Sequence, residues 1–285
     1  MFERRLWLIL LLMPLAGCQS LGFAVLNTAA PQVTRVPDIE YAPGPRGRMD
    51  LYVPRAAATG AGRPLVVFWY GGSFQSGSRK DYGFVGSALA ARGAVTFLPD
   101  YRLFPEVRFP DFLRDAAAAV ARAQLEAARY GADPRRTVLG GHSAGAYIAA
   151  MLAVQPEYLR EAGVDPASIA GFFGLSGPYA IEPNSTALHA IFTAVAKPDV
   201  YQALQHVSAD APPTLLVHGE ADEVVYSSHA ARLSAALRAK GVPVELRLVP
   251  RRRHVDTVIA LSRPAAFRVP GLLAQVSDFI HRAKR

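Results

Sequence analysis

Cysteine is almost absent from this chain: of 285 residues only Cys18 is one. A single cysteine in the leader leaves the folded body without a disulfide framework, a cysteine-ligated metal or a cysteine nucleophile. Long apolar runs are also missing. The run near the start, Leu6 to Leu15, is about ten residues, against the roughly 20 a bilayer-spanning helix needs. There is no internal repeat, no low-complexity tract and no nucleic-acid-binding motif. Lys and Arg outnumber Asp and Glu by 31 to 23, a net charge of +8, and without such a motif this surplus does not imply a nucleic-acid partner. With 51% hydrophobic and 19% charged residues, the composition is that of a globular protein long enough for one large α/β domain.

The start of the chain reads as a targeting segment. Met1-Phe2-Glu3-Arg4-Arg5 is a short charged region, the apolar run follows, and Leu15-Ala16-Gly17-Cys18 closes it with small residues suited to signal cleavage. The cysteine after them resembles a bacterial lipobox. This implies a signal peptide over 1–17, lipidation of Cys18 and a lipid membrane as partner; a plain secretory signal is the alternative. Gln19, rather than aspartate, after the cysteine implies the outer membrane facing the periplasm. Residues 18–37 show no clear period and carry Asn27, Pro31 and Pro37, so a tether is expected there and a folded domain over 38–285.

The centre of that domain is Gly141-His142-Ser143-Ala144-Gly145, which follows the apolar Val138-Leu139 and precedes an alanine-rich segment to Val154. In a G-x-S-x-G pattern the serine occupies a strained strand-to-helix turn that projects its hydroxyl at the top of a sheet. Small residues on either side let strand and helix approach. Around it, strands are expected at Asp38–Tyr41, Met49–Val53, Leu65–Tyr70, Ala94–Leu98, Ile169–Leu175, Thr214–Gly219 and Val244–Val249. Helices are expected at Gly83–Arg92, from Asp111 (as cap) to Tyr130, at Ser227–Lys240 and at Leu272–Ala283, and a mobile loop at Ala56–Arg63. This alternation implies a mostly parallel sheet covered by helices on both faces. Residues 176–210, irregular and rich in proline and aromatics, read as a short cap.

In such a sheet, chemistry belongs at the carboxyl ends of the strands. Gly71-Gly72-Ser73-Phe74 follows one strand and can aim backbone N–H groups at an oxyanion. Asp222 lies just past another and is the preferred acid, with Glu220 and Glu223 as competitors. His254 lies past the last strand, next to Arg251, Arg252 and Arg253. That basic run is either a solvated edge or an attraction for anionic substrate or lipid. Arg102, Glu106 and Asp115 read as structural ion pairs.

Together these residues resemble the α/β-hydrolase superfamily, in its esterase/lipase group related to hormone-sensitive lipase, carboxylesterases and kynurenine formamidases. Gly-His-Ser-Ala-Gly at 141–145 is similar to the family's elbow, and Tyr-Arg-Leu-Phe-Pro-Glu at 101–106 to its Tyr-Arg-Leu-Ala-Pro-Glu segment. The resemblance implies an α/β-hydrolase fold, Ser143 as nucleophile, His254 as base, Asp222 as acid and an oxyanion hole from Gly72, Ser73 and Ala144. It implies a small-molecule ester substrate, no cofactor and no metal. Amide hydrolysis of an arylformamidase or small-peptidase kind, or a non-catalytic binding lipoprotein, are the alternatives. Two departures stand out: Tyr70 where the family usually has His before Gly-Gly, and Arg253 before His254 where Gly is common.

Overall fold

The computed structural model describes residues 22–55, 62–183, 185–193 and 197–283. Among them eight strands form one sheet: β1 Thr34–Glu40, β2 Arg48–Val53, β3 Arg63–Trp69, β4 Val95–Pro99, β5 Ala132–His142, β6 Ile169–Leu175, β7 Thr214–Gly219 and β8 Val244–Val249. Their spatial order is β1-β2-β4-β3-β5-β6-β7-β8. The first two are antiparallel at one edge; β4 through β8 run parallel. The helices, in chain order, are α1 (22–28), α2 Gly83–Ala91, α3 Asp111–Ala127, α4 Ala144–Val154, α5 Glu157–Glu161, α6 Thr186–Phe192, α7 Pro198–Tyr201, α8 Ser228–Ala239, α9 Asp256–Ile259 and α10 Leu272–Arg282.

Sequence explains the layers. Leu65 to Trp69 are all fully buried, as a central parallel strand covered on both faces requires. α3 is two-sided: Phe112, Ala116, Ala119 and Val120 are buried, while Arg122 and Glu126 pair along its outer side. α4 has no polar side, and all eleven of its residues are buried. It lies on β5 and β6 with α3 beside it. Gly140 on β5 leaves room for Phe173 on β6; a Cβ there would come within 2.3 Å of the ring.

The chain passes from β3 to β4 on one side, then crosses to β5 on the other side of β3. Strand order therefore reverses at β3, and the crevice at such a switch point is where open α/β sheets hold their ligands. The loop after β3 and the turn after β5 both open into it.

Two sequence expectations are corrected. The described part of the expected tether, 22–37, is α1 and much of β1. Phe23 is buried against Tyr82 at 5.1 Å between ring centroids. Asn27 Oδ1 accepts the Phe84 N–H at 2.7 Å, one of the donors a helix start leaves without an internal partner. No local periodicity signals partners more than fifty residues away. Asp111 does not cap α3; Pro110 occupies the cap position and Asp111 pairs with Arg114 inside the first turn. The expected cap region holds α6 and α7 between β6 and β7, with Ile191 and Phe192 buried beneath. The signal segment and Cys18, and most of the expected 56–63 loop, lie outside the described residues.

Arg79, on the loop between β3 and α2, ties three parts of the chain together. Its guanidinium pairs with Asp38, with Asp50 at 3.0 Å and with Asp100; Arg35 holds the other Asp50 oxygen at 2.7 Å. Burial alone would raise the Asp50 pKa. The Asp38 N–H and the two guanidiniums outweigh it and hold it below the usual range. Replacing Arg79 by Leu strands buried carboxylates, so urea denaturation should show a loss of about 3–5 kcal/mol. Because the folded Asp50 pKa is depressed, its stabilisation is complete above about pH 4 and disappears as pH falls through the lowered value.

Candidate active site

Ser143 sits between β5 and α4 with φ +54° and ψ −123°. This is a region L-residues rarely adopt, at a cost of about 1–3 kcal/mol. The flanking glycines make it possible. A Cβ on Gly141 would stand 2.2 Å from the Gly145 oxygen, and one on Gly145 would stand 2.1 Å from the Trp69 oxygen. The Ser143 N–H donates to the Leu175 carbonyl at 2.9 Å, pinning the turn to the end of β6.

Ser143 Oγ lies 2.8 Å from His254 Nε2, and His254 Nδ1 lies 2.8 Å from Asp222 Oδ2. A carboxylate only accepts, so Nδ1 carries the ring proton and Nε2 is free to accept from the serine hydroxyl. Asp222 is on the loop after β7 and its side chain is fully buried. Its Oδ1 accepts from the Val224 and Val225 N–H groups, both at 2.9 Å. Its Oδ2 is shared by His254 and by His218 Nε2 at 3.1 Å. Burial raises the pKa of this carboxyl, but four donors converge on it and hold it far below the ordinary carboxylate range. Asp222 therefore stays ionised throughout the range where an imidazole titrates.

The loop after β3 turns through Gly72 at φ +140° and Ser73 at φ +53°. The Gly72 carbonyl points back, accepting from the Gln75 and Ser76 N–H groups. A Cβ on Gly72 would meet the Ser76 oxygen at 2.0 Å. Neither the Gly72 nor the Ser73 N–H has an acceptor among the described residues, and Ala144 opens α4, where N–H groups have no helical partner. Tyr70 answers how this loop is braced without the usual histidine. Its ring stacks on Tyr101 at 4.7 Å, its carbonyl accepts from the Tyr101 hydroxyl, and its own hydroxyl accepts from Arg46 Nη1 at 3.0 Å.

Ser73, Ser143 and Ala144 border one cavity of about 150 Å³, lined on the side of the segment between β6 and β7 by Pro178, Ile181 and Leu188. A larger groove of about 680 Å³ between β1 and α3 contains none of these residues.

The structure brings Ser143, Asp222 and His254 together, with Gly72, Ser73 and Ala144 in the two turns beside them. Glu220 and Glu223 are exposed and take no part. Arg102 and Asp115 form the expected structural pair at 2.6 Å; Glu106 is exposed and outside it. Arg251 and Arg253 are exposed on the loop that carries His254. Sequence reasoning missed His218, Tyr82 and His142. A histidine closing the apolar run Leu215-Leu216-Val217 was a signal for the first; the middle position of the elbow was one for the last. Among the described residues no group of three His, Cys, Asp or Glu side chains is placed to hold a metal ion.

Residues 49–237, two thirds of the chain, match the model of the BD-FAE family. The chain belongs to the BD-FAE family. It is 30% identical over 240 residues to isoprenylcysteine alpha-carbonyl methylesterase of Arabidopsis thaliana, covering 76% of this chain and 56% of that one. It is 32% identical over 196 residues to the esterase LipC of Mycobacterium tuberculosis, covering 62% and 48%. The BD-FAE chain described here spans between about half and three fifths of the length of these curated relatives. Among solved structures, an esterase of Pyrobaculum calidifontis superposes with a TM-score of 0.73 at 22% identity, covering 92% of this chain and 89% of that one. That likeness is one of fold, the α/β-hydrolase fold expected from the sequence. Gly145→Ala would force α4 away from the end of β3, so it should lower the urea midpoint by the equivalent of about 1–3 kcal/mol, as overpacking does, and slow covalent labelling of Ser143 by a fluorophosphonate.

Proposed function

We propose that this BD-FAE protein is a serine hydrolase that cleaves carboxylic esters through an acyl-enzyme on Ser143. The observation that carries this is the relay Ser143–His254–Asp222, with both links at 2.8 Å and the acid fully buried. Ser143 Oγ attacks the acyl carbon while His254 Nε2 takes its proton. The carbonyl oxygen becomes an oxyanion, received by the N–H groups of Gly72, Ser73 and Ala144. The ester C–O bond then breaks, and His254 returns the proton to the departing alcohol. Water attacks the acyl-serine by the same route and releases the acid. Asp222 stays ionised and stabilises the imidazolium formed in each half-reaction.

The names of the curated relatives, a methylesterase and an esterase, support ester over amide. Size supports a short acyl group. A protein cavity of about 150 Å³ holds a molecule the size of benzene, so the space beside Ser143 suits acetyl to butyryl and resists long chains.

The tests use the protein lacking residues 1–18. Hydrolysis of p-nitrophenyl esters should peak between two and four acyl carbons and fall steeply beyond; Ser143→Ala should abolish it. Asp222→Asn should lower kcat by about 10⁴, the cost of the wrong histidine tautomer. Labelling of Ser143 without ester turnover would redirect the assignment to amides. Neither turnover nor labelling would leave a binding protein on this fold.

We infer further that Cys18 is lipidated and holds the protein at a bacterial envelope membrane. The Leu-Ala-Gly-Cys sequence supports this. From Cys18 to the buried Phe23 is five residues, at most about 18 Å of chain, so such an anchor would keep the active site close to lipid. Radiolabelled palmitate should be incorporated in cells and lost in Cys18→Ser; equal labelling of both would sink the assignment.

A further inference from the structure

His142 occupies the middle of the elbow and is almost fully buried. Its Nε2 is 3.2 Å from the His254 carbonyl oxygen, and its Nδ1 is 2.9 Å from the Tyr82 hydroxyl. A carbonyl only accepts, so Nε2 must carry the proton. Nδ1 is then a bare acceptor, and Tyr82 must donate to it. The Tyr82 oxygen in turn accepts the Gly71 N–H at 3.3 Å. Every donor direction is fixed from one end to the other.

We propose that His142 is a positioning residue that couples the oxyanion loop to the loop of the base, through the chain Gly71 N–H to Tyr82 O–H to His142 to the His254 carbonyl. This rests on the ester-hydrolase reading of the site. Gly71 immediately precedes Gly72 and Ser73, the donors for the oxyanion. The His254 carbonyl belongs to the residue whose ring must meet Ser143. One chain thus sets the distance between the groups that receive charge and the group that moves the proton. Thr257 Oγ1 gives the same carbonyl a second, longer contact at 3.4 Å, backed by Ser176 at 2.9 Å.

The chain requires a neutral imidazole and a protonated phenol. Burial, then the neighbouring His254, lowers the His142 pKa to about 3. Burial pushes the Tyr82 hydroxyl well above its ordinary value. Both groups therefore hold the required state at neutral pH. The Tyr82 ring is wedged among Phe23, Phe68, Tyr70 and Phe84. Removing its oxygen alone therefore leaves the packing in place.

Two measurements test this independently. The first is the ¹⁵N spectrum of the His142 imidazole in the protein lacking residues 1–18. The chain requires protonated Nε2 and bare Nδ1 from pH 5 to 9; the opposite tautomer overturns the proposal whatever the activity. The second is kinetic, on p-nitrophenyl acetate and on fluorophosphonate labelling, for Tyr82→Phe, His142→Leu, the double variant and His142→Gln. A misplacement approaching 1 Å costs up to about a hundredfold, so His142→Leu should lower kcat about tenfold to a hundredfold with KM within about twofold. Tyr82→Phe should lower kcat by less. The double variant should be no slower than His142→Leu, because both break one chain. His142→Gln keeps an N–H at the ε position and should recover most of the rate. Wild-type kcat in both single variants, or losses that multiply in the double variant, overturn the proposal. Wild-type protein that neither turns over ester nor labels at Ser143 would instead defeat the hydrolase reading, while the tautomer measurement still decides whether the chain exists.

Discussion

The close approach of α4 to the end of β3 is the contact on which the rest of the site depends. Gly145 lies against the Trp69 and Tyr70 carbonyls, at distances where any side chain would collide with backbone. Only at that spacing can β5 turn sharply into α4 and hold Ser143 at a positive φ. The energy of that conformation comes from burial elsewhere: α4 has no exposed residue, and β3, β5 and β6 enclose it in apolar surface. Burial of a single large aliphatic side chain stabilises by about 1.5–3 kcal/mol, so a few of them offset one strained serine. The same approach brings the loop after β3 next to the turn after β5. The Gly72-Ser73 turn and the Ser143 hydroxyl are therefore neighbours by construction of the sheet.

The acid is organised by a different force. Asp222 is removed from water, which disfavours its charge, and four hydrogen-bond donors restore it. Because His218 takes part of Oδ2 from one side, His254 can approach only from the other, toward Ser143. The Val224 and Val225 N–H groups do the same for Oδ1. Glu220 and Glu223, two and one residues away, find no comparable set of donors and stay in water. What distinguishes Asp222 from them is the loop geometry after β7, not the carboxyl group itself.

Much of this was legible beforehand, for identifiable reasons. The parallel strands are continuous apolar runs, and β3 and β6 appear within a residue or two of their expected bounds. Gly141, Ser143 and Gly145 announce a turn whose mechanics leave few alternatives. What escaped has little or no local pattern. Phe23 and Asn27 look like linker residues because their partners, Tyr82 and Phe84, lie in another element. Asp111 has the right chemistry for a cap, but the helix starts at it rather than after it. His218 and His142 are marked only by their positions in the chain, and Tyr82 by nothing local. Their roles come from which atom faces which, and a one-dimensional reading carries no information about that.

Tyr70 shows how the same requirement is met by different residues. An oxyanion loop must be stiff, because its N–H groups must already point at the charge before the charge exists. Here the stiffness is distributed. Tyr70 stacks on Tyr101 and receives Arg46, which also bonds the Gly77 carbonyl. Tyr82 receives the Gly71 N–H. Arg79 fixes the far end of the loop to Asp50 and Asp100. Three aromatic rings and two arginines, from both sides of the loop, stand in for the usual histidine. One of those anchors, Arg79, reaches the antiparallel edge through both Asp38 and Asp50, so β1 and β2 help to hold the loop after β3. That explains why the folded body begins before β1: α1 caps α2 through Asn27 and covers Tyr82 with Phe23, holding the outer wall of the loop against which the oxyanion would form.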